Sequence, residues 1–333
     1  MKNNFFNHAP KELALDGFLN WLIIEIKATD DIVSFFTKLG LCPNGTSSIS
    51  EVKVRRQEKS TDLIIRYSAD SKPYKALFEN KTRGSASREQ LKKYKKEFSD
   101  FQYYKFLKLA RINFAEQKLL DELEYVAIGA QELCSAIECL TFSNQVTREF
   151  TEFLKFKYIE KIQYIESSMV SDNNYSLFAD SQAQHHLIDA IHREIDGTND
   201  ATWFKSGANV GGRPWTQLDI GKKPKAYADS TEHLFWRVDE QIPGYYLRLT
   251  QYANVEAEFK ETKQKNRDKL REIFAPISKR YDLTYTKPNN KGIKECEILK
   301  LFFKDNELPV IYDSLVELSK ELIEAYYEIS YDA

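Results

Sequence analysis

Asp62, Glu79 and Lys81 have the side chains of a hard-cation site, and their spacing allows them to meet. Glu79 and Lys81 close the apolar run Tyr74 to Lys81; being two apart on a strand, they point to the same face. Thr61 to Tyr67 is a second strand-like run, and Ser68 to Pro73 between the two reads as a turn. Pairing Tyr67 with Tyr74 puts Leu63, Ile65, Tyr67, Tyr74, Ala76 and Phe78 on one apolar face, the strongest determinant of strand register. A slip by two residues would keep that face, so the register is favoured rather than forced. It sets Asp62 opposite Glu79 with β-carbons about 5 Å apart, where like charges repel. A bound cation reverses that penalty. Carboxylate oxygens suit Mg²⁺ or Mn²⁺ better than zinc, and such an ion polarises a phosphate and generates hydroxide from water. Lys81 could orient or deprotonate that water.

Downstream, Ser87 to Phe98 reads as a helix carrying Gln90 and Tyr94, four apart and so on one face. Lys81, Arg83, Arg88, Lys92, Lys93, Lys95 and Lys96 stand against Glu89 alone, a formal +6 over sixteen residues. This is either a phosphate-attracting stripe or a solvated helix face. The wheel is read with Lys93 and Lys96 nearest Arg88 and with Lys92 and Lys95 elsewhere.

Other elements must position these groups. Residues 10 to 27, opening at Pro10, repeat Leu13, Phe18, Trp21, Leu22 and Ile26 at helical spacing. A second helix follows, capped by Asp30 or Asp31 and stopped by Gly40. Val52 and Val54 mark a first strand; Tyr104 to Ala110 and Tyr125 to Gly129 are read as later strands, and helices over 131–140 and 147–165 close this half. The polar stretch from Ser167 through Asn174 suggests a linker. Domains are therefore expected at 1–166 and 183–333, joined by 167–182. Beyond the linker the expectation is a helix at 183–195, a loop-rich Trp203 to Tyr227, and strands at 233–239 and 244–252. A charged helix over 255–275, a strand at 295–303 and a terminal helix at 309–329 follow.

A helix, Asp62, Glu79-Asn80-Lys81 closing a strand, and then a helix with Gln90 and Tyr94 resembles the PD-(D/E)XK nuclease superfamily, specifically members with Gln-x-x-x-Tyr after the lysine. The order of elements over residues 10–129 is similar to its αβββαβ core. The fold class expected is thus α/β, a restriction-endonuclease-like core with a mixed sheet flanked by helices, plus a C-terminal α+β domain. The resemblance implies metal ligation by Asp62, Glu79 and the main-chain carbonyl of Asn80, and catalysis by Asp62, Glu79, Lys81, Gln90 and an acid from the first helix. Glu12 is the candidate for that acid and Asp16, one turn later, its competitor. Contacts to DNA would come from Arg83, Arg88, Gln90, Lys92, Lys93, Tyr94 and Lys96. The nominal proline before the first acid is Thr61 here. The implied activity is Mg²⁺- or Mn²⁺-dependent DNA hydrolysis, and restriction or phage defence follows by analogy only.

A catalytically silent nucleic-acid-binding or scaffold protein and an RNA-directed nuclease are the alternatives; the intact acid pair and lysine weigh against the first. The sequence does not choose between DNA and RNA. Over 333 residues, 42% hydrophobic and 13% aromatic content supports two cores, and the formal charge of -2 makes any nucleic-acid surface a local patch. Four cysteines without metal-ligand spacing, no secretory leader and no membrane span suggest the cytoplasm. His185, His186 and His192 lack companions at a zinc spacing. Trp203, Trp215 and Trp236, interleaved with Gly207, Gly211, Gly212, Arg213, Lys222, Lys223 and Lys225, fit either base stacking or core tryptophans beside a surface loop. Val255 to Arg271 reads as a self-supported solvated helix. Ile311, Leu315, Leu318, Leu322 and Ile329 form a near-heptad stripe, a core face or a dimer seam, and cutting two strands would favour a homodimer.

Overall fold

The computed structural model describes residues 4–8, 11–85, 87–171, 178–196, 203–209, 211–241, 244–281, 283, 286–288, 294–302 and 308–331. The chain forms two compact units, Met1–Gln163 and Tyr164–Ala333. The first holds α1 (Lys11–Ile26), α2 (Asp31–Lys38), β1 (Ile49–Arg56), β2 (Leu63–Ala69), β3 (Lys72–Lys81), α3 (Arg88–Glu97), β4 (Tyr103–Lys108), α4 (Phe114–Glu122), β5 (Val126–Ile128), α5 (Ala130–Glu138) and α6 (Gln145–Leu154). Its sheet is ordered β1-β2-β3-β4-β5, antiparallel through β3 and parallel from β3 to β5. Such a mixed sheet agrees with the α/β expectation.

Strand alternation explains the layering. Leu63, Ile65, Tyr67, Ala76 and Phe78 pack on α1, α2, α5 and α6, while Ile64 and Leu77 face the other way against Leu91, Tyr94 and Phe98 around α3. Both faces of the hairpin are therefore covered, as a parallel-containing sheet requires. Asp31 does not cap α2. It is buried and accepts from Thr141 N and Phe142 N at 2.8 and 2.7 Å, tying α2 to the segment after α5. Pro10 lies outside the described residues.

Helix α4 has no counterpart in the expected core, yet parallel β4 and β5 need a crossover between them. Its start is legible afterwards: Asn113 accepts from Glu116 N at 2.8 Å, and the Glu116 carboxylate returns to Asn113 N at 3.1 Å, a capping box. Glu116 also takes the Lys108 ammonium at 2.6 and 2.7 Å, with both side chains buried. Glu116→Ala should lower stability by about 3–5 kcal/mol in urea unfolding, because it strands the buried Lys108 charge and removes the carboxylate half of the capping box. A loss below 1 kcal/mol would show that the pair is not structural.

The second unit holds α7 (Glu160–Ser171, which starts just before the unit boundary), α8 (Ser181–Ile195), β6 (Trp203–Ala208), β7 (Pro214–Tyr227), β8 (Ser230–Gln241), β9 (Gly244–Tyr252), α9 (Lys260–Ser278), β10 (Glu295–Phe302) and α10 (Leu308–Glu328). Its sheet, β10-β9-β8-β7-β6, is antiparallel throughout. Several expectations are corrected. Residues 167–171 are helical, with Ser168 buried, so the polar text there is the end of a helix rather than linker, and 172–177 lie outside the described residues. Trp203 to Tyr227 is two strands, not a loop: Gly211 and Gly212 take positive φ in the turn between them. Trp236 is a core residue whose indole N–H donates to Ser319 Oγ at 2.9 Å, and Trp215 lies under the Arg237 guanidinium. Helix α9 is not fully solvated, since Lys263, Asn266, Leu270 and Phe274 are buried. Leu315, Leu318, Leu322 and Ile329 are consumed by this unit's core, so they form no dimer seam; the side chain of Ile311 is not described. His185 and His192 are buried on α8, the former edge-on to Phe204. Among the described residues no helix is long and apolar enough to cross a membrane.

Candidate metal and phosphate site

The β2–β3 ladder has the register read from sequence, Tyr67 against Tyr74 and Leu63 against Phe78. One step further, Asp62 meets the end of β3: its Oδ2 accepts from Asn80 N at 2.6 Å. Glu79 is 1% exposed, and its Oε1 takes the Lys81 ammonium, which also donates to Asn80 O at 3.2 Å. Asp62, Glu79, Lys81 and the Asn80 carbonyl thus converge where β2 begins and β3 ends.

Their charges are under strain. Burial pushes the Glu79 carboxyl up to about 7, and the Asp62 charge adds to the rise against the opposing pull of Lys81. Burial likewise raises Asp62, although its hydrogen bond from Asn80 N and the Lys81 charge oppose the shift. The Asp62 charge makes the Glu79 carboxyl hold its proton more tightly, a repulsion between neighbouring carboxylates that a proton or a cation relieves. Burial lowers the Lys81 ammonium, but the hydrogen bond and charge of Glu79 together with the Asp62 and Glu12 charges outweigh that and leave it above its ordinary value. Lys81 is therefore a fixed positive donor. Glu79 Oε2 and Asn80 Oδ1 are buried with no hydrogen-bond partner among the described residues.

That orphaned acceptor beside a second carboxylate fits a hard divalent cation, whose positive charge would replace the missing donor. Asp62, Glu79 and the Asn80 carbonyl could hold it. Among the described residues no group of three or more His, Cys, Asp or Glu side chains converges as a complete metal cluster. A bound ion would therefore draw its remaining oxygens from water and phosphate, as Mg²⁺ usually does.

The two acids of α1 have different places. Asp16 is buried and accepts from Asn80 Nδ2 at 2.7 Å, on the sheet face opposite Glu79, so it braces Asn80 from behind. Burial pushes its carboxyl up to about 6, with the Asp62 charge contributing. Glu12 is exposed and sits at the mouth: a Cβ on Gly84 would lie 3.7 Å from Glu12 Oε1 and 3.2 Å from Lys81 Cδ. Glu12 thus lies beside the Lys81 stem, and Asp16 acts through Asn80.

Gln90 and Tyr94 do share a face of α3. Gln90 Nε2 donates to Tyr94 OH at 2.8 Å, and Tyr94 OH donates to the carbonyl of Ser60. Ser60 belongs to a connection in which Gln57, Lys59 and Ser60 all have φ between 50 and 68°, the left-handed region that non-glycine residues rarely adopt. Tyr94 therefore clamps the strained turn that delivers Asp62, while the Gln90 amide is half-buried beside it. Sequence reasoning missed Ser60 and also Arg56, which lies by Asp16 and over Gly17; alternation along β1 was the available signal.

The basic stripe is only partly free. Arg88 pairs with Glu122, and Lys95 with Glu124 at 3.0 Å while capping the Tyr104 ring at 4.2 Å. The Glu122 carboxyl is held below its usual range by Arg88 first and by the Lys92 charge as well. Arg88, Lys92 and Lys95 therefore share one side, since steps of four and three residues return to the same helix face. This corrects the wheel that placed Lys93 and Lys96 beside Arg88. Lys93 lies 3.9 Å from Glu97; Arg83, Lys92, Lys93 and Lys96 are exposed.

Comparison with known proteins gives no matching family model, no matching curated protein and no matching solved structure.

Proposed function

We propose that this chain is a metal-dependent nuclease that hydrolyses DNA phosphodiester bonds on a PD-(D/E)XK-like site. The observation that carries this reading is the convergence of Asp62, buried Glu79 with an orphaned oxygen, and cationic Lys81 at the end of one hairpin. A Mg²⁺ or Mn²⁺ ion held by Asp62, Glu79 and the Asn80 carbonyl would supply Lewis acidity to a phosphate and lower the pKa of a bound water. The protein's own residues account for the rest. Lys81, kept protonated by Glu79, would donate to the attacking oxygen and to the charge growing on the phosphate, so it orients rather than deprotonates. Asp16 would hold Asn80, and with it the carbonyl ligand, in place. Tyr94 would fix the turn before Asp62, and Gln90 would reach the phosphate beside it. Attack would form a P–O bond to water oxygen and break the bond to O3′, which takes up a proton, leaving a 5′-phosphate. Restriction or phage defence is the biological setting by analogy.

Incubation of the protein with supercoiled plasmid and with RNA, each with Mg²⁺, Mn²⁺ or EDTA, tests this. Nicked or linear DNA with either metal, none with EDTA and none from Asp62→Asn is the expected result. Cleavage of RNA alone would reassign the substrate. Binding without cleavage under every condition would leave a silent nucleic-acid-binding protein.

A further inference from the structure

A second concentration of positive charge lies in the C-terminal unit, where β7 leaves its ladder. The β7–β8 register holds at Lys223 against Glu232 and resumes only at Tyr227 against Ser230, so Pro224, Lys225 and Ala226 bulge outward. Lys225 takes φ 53°, a conformation that a lysine rarely adopts. Bulges of this kind re-aim side chains. Here they open a cavity of 490 Å³ in which Lys222, Lys223 and Lys225 meet Tyr327 and Tyr331.

The cavity is built rather than incidental. Lys223 is half-buried with its ammonium 4.2 Å from the Tyr331 ring centre and 4.6 Å from that of Tyr326, and it donates to Ile329 O at 2.6 Å. Lys269 adds a fourth ammonium nearby, donating to Ser330 O at 2.9 Å. Lys222 N donates to Tyr327 OH at 3.1 Å, which fixes a ring that stays 44% exposed. Among the described residues no acidic side chain lines the cavity. The acid behind it, Glu232, is fully buried and already accepts from Tyr227, Tyr326, Tyr331 and Gln251, so it anchors the tyrosines; its charge also acts on Lys223, which leaves Lys222 and Lys225 as the exposed cations. Clustered cations demand an anion, and an exposed, fixed aromatic ring suits a base beside that anion.

We infer that this cavity grips the phosphates of an unpaired nucleic-acid strand through Lys222, Lys223 and Lys225, with Tyr327 as a stacking platform. The preference for nucleic acid over another polyanion rests on the nuclease reading; the site itself does not.

The test uses the full chain in EDTA, where no cleavage can occur, and follows the fluorescence anisotropy of labelled oligothymidylate across a salt series. The variant is Lys222→Gln/Lys225→Gln, both exposed positions, with Tyr327→Ala as a second variant and thermal melting as the folding control. The expected result is a loss of affinity of at least about tenfold for the double variant, and a salt slope smaller by about 1.4, since each single-strand phosphate contact contributes about 0.7. Tyr327→Ala should weaken binding at every salt concentration with the slope unchanged. Wild-type affinity and slope in the lysine variant, or no binding by the wild-type protein, would overturn the inference. So would lysine-dependent binding to phosphatidylserine vesicles without lysine-dependent binding to oligothymidylate. The plasmid assay separates the two readings: lysine-dependent binding without cleavage removes the nuclease and keeps this site, whereas cleavage with lysine-independent binding does the reverse.

Discussion

Lys81→Ala should lower plasmid cleavage by about 10²- to 10⁴-fold, the range that one positioned proton-handling or water-orienting side chain supplies. The fold should survive, because Glu79 can take up a proton once its ion-pair companion is gone; burial already holds its carboxyl at about 7. The same logic gives the variant a signature that simple unfolding would not show. Without the Lys81 charge the Glu79 carboxyl rises further, so residual cleavage and metal affinity should shift to higher pH than in the wild type. Glu79→Gln, by contrast, removes a ligand and should abolish cleavage at every pH. Steady-state cleavage rates over a pH series, with circular dichroism as the folding control, read both outcomes. A wild-type rate in Lys81→Ala would make Lys81 bystander surface and remove the centre of the proposal.

Metal and pH should act on stability together. The folded Glu79 carboxyl lies above its unfolded value of 4.5, so between 4.5 and about 7 the native state holds more protons than the unfolded chain. Stability must therefore fall as pH rises through that window. A shift of this size corresponds to on the order of 3 kcal/mol. Asp16, raised to about 6 from 3.8, acts in the same direction. In EDTA the melting temperature should drop between pH 5 and pH 8, and Glu79→Gln should flatten the drop. Added Mg²⁺ or Mn²⁺ must compete with the proton on Glu79, so it should raise the melting temperature at pH 8 and do little at pH 5.5. At a hundredfold excess over its dissociation constant the ion adds about 2.7 kcal/mol. Equal increments at the two pH values would mean that the ion binds somewhere other than Asp62 and Glu79, and no increment at either would argue against a metal site.

The hairpin was legible from its own residues because a strand's alternation and its register are local. Once Tyr67 pairs with Tyr74, the positions of Leu63, Phe78, Asp62 and Glu79 follow by counting. Helix α3 with Gln90 and Tyr94 on one face followed from helical spacing in the same way. The capping box Asn113-x-x-Glu116 is equally local, but the helix it opens is short and lies between two strands, where its few apolar residues do not by themselves separate helix from loop. In the second unit, glycines and lysines between tryptophans looked like loop, yet residues 203–208 and 214–227 are strands because each finds a neighbour in the sheet. Strand formation depends on that neighbour more than on intrinsic preference.

Composition and periodicity by themselves pointed to two cores and put Glu79 and Lys81 on one strand face; they favoured the register that brings Asp62 to the same end without excluding a slip by two residues. Only the tertiary structure decided which acid of α1 lies where: Asp16 and Asn80 are 64 residues apart, and no spacing rule pairs them. It likewise decided that Glu122 and Glu124 cover part of the α3 cations, and that Lys222, Lys223 and Lys225 gather around tyrosines about a hundred residues away. The physical reason is one and the same. Periodicity fixes the direction in which a side chain leaves its own backbone, whereas charge, burial and pKa depend on what a distant segment brings to that spot.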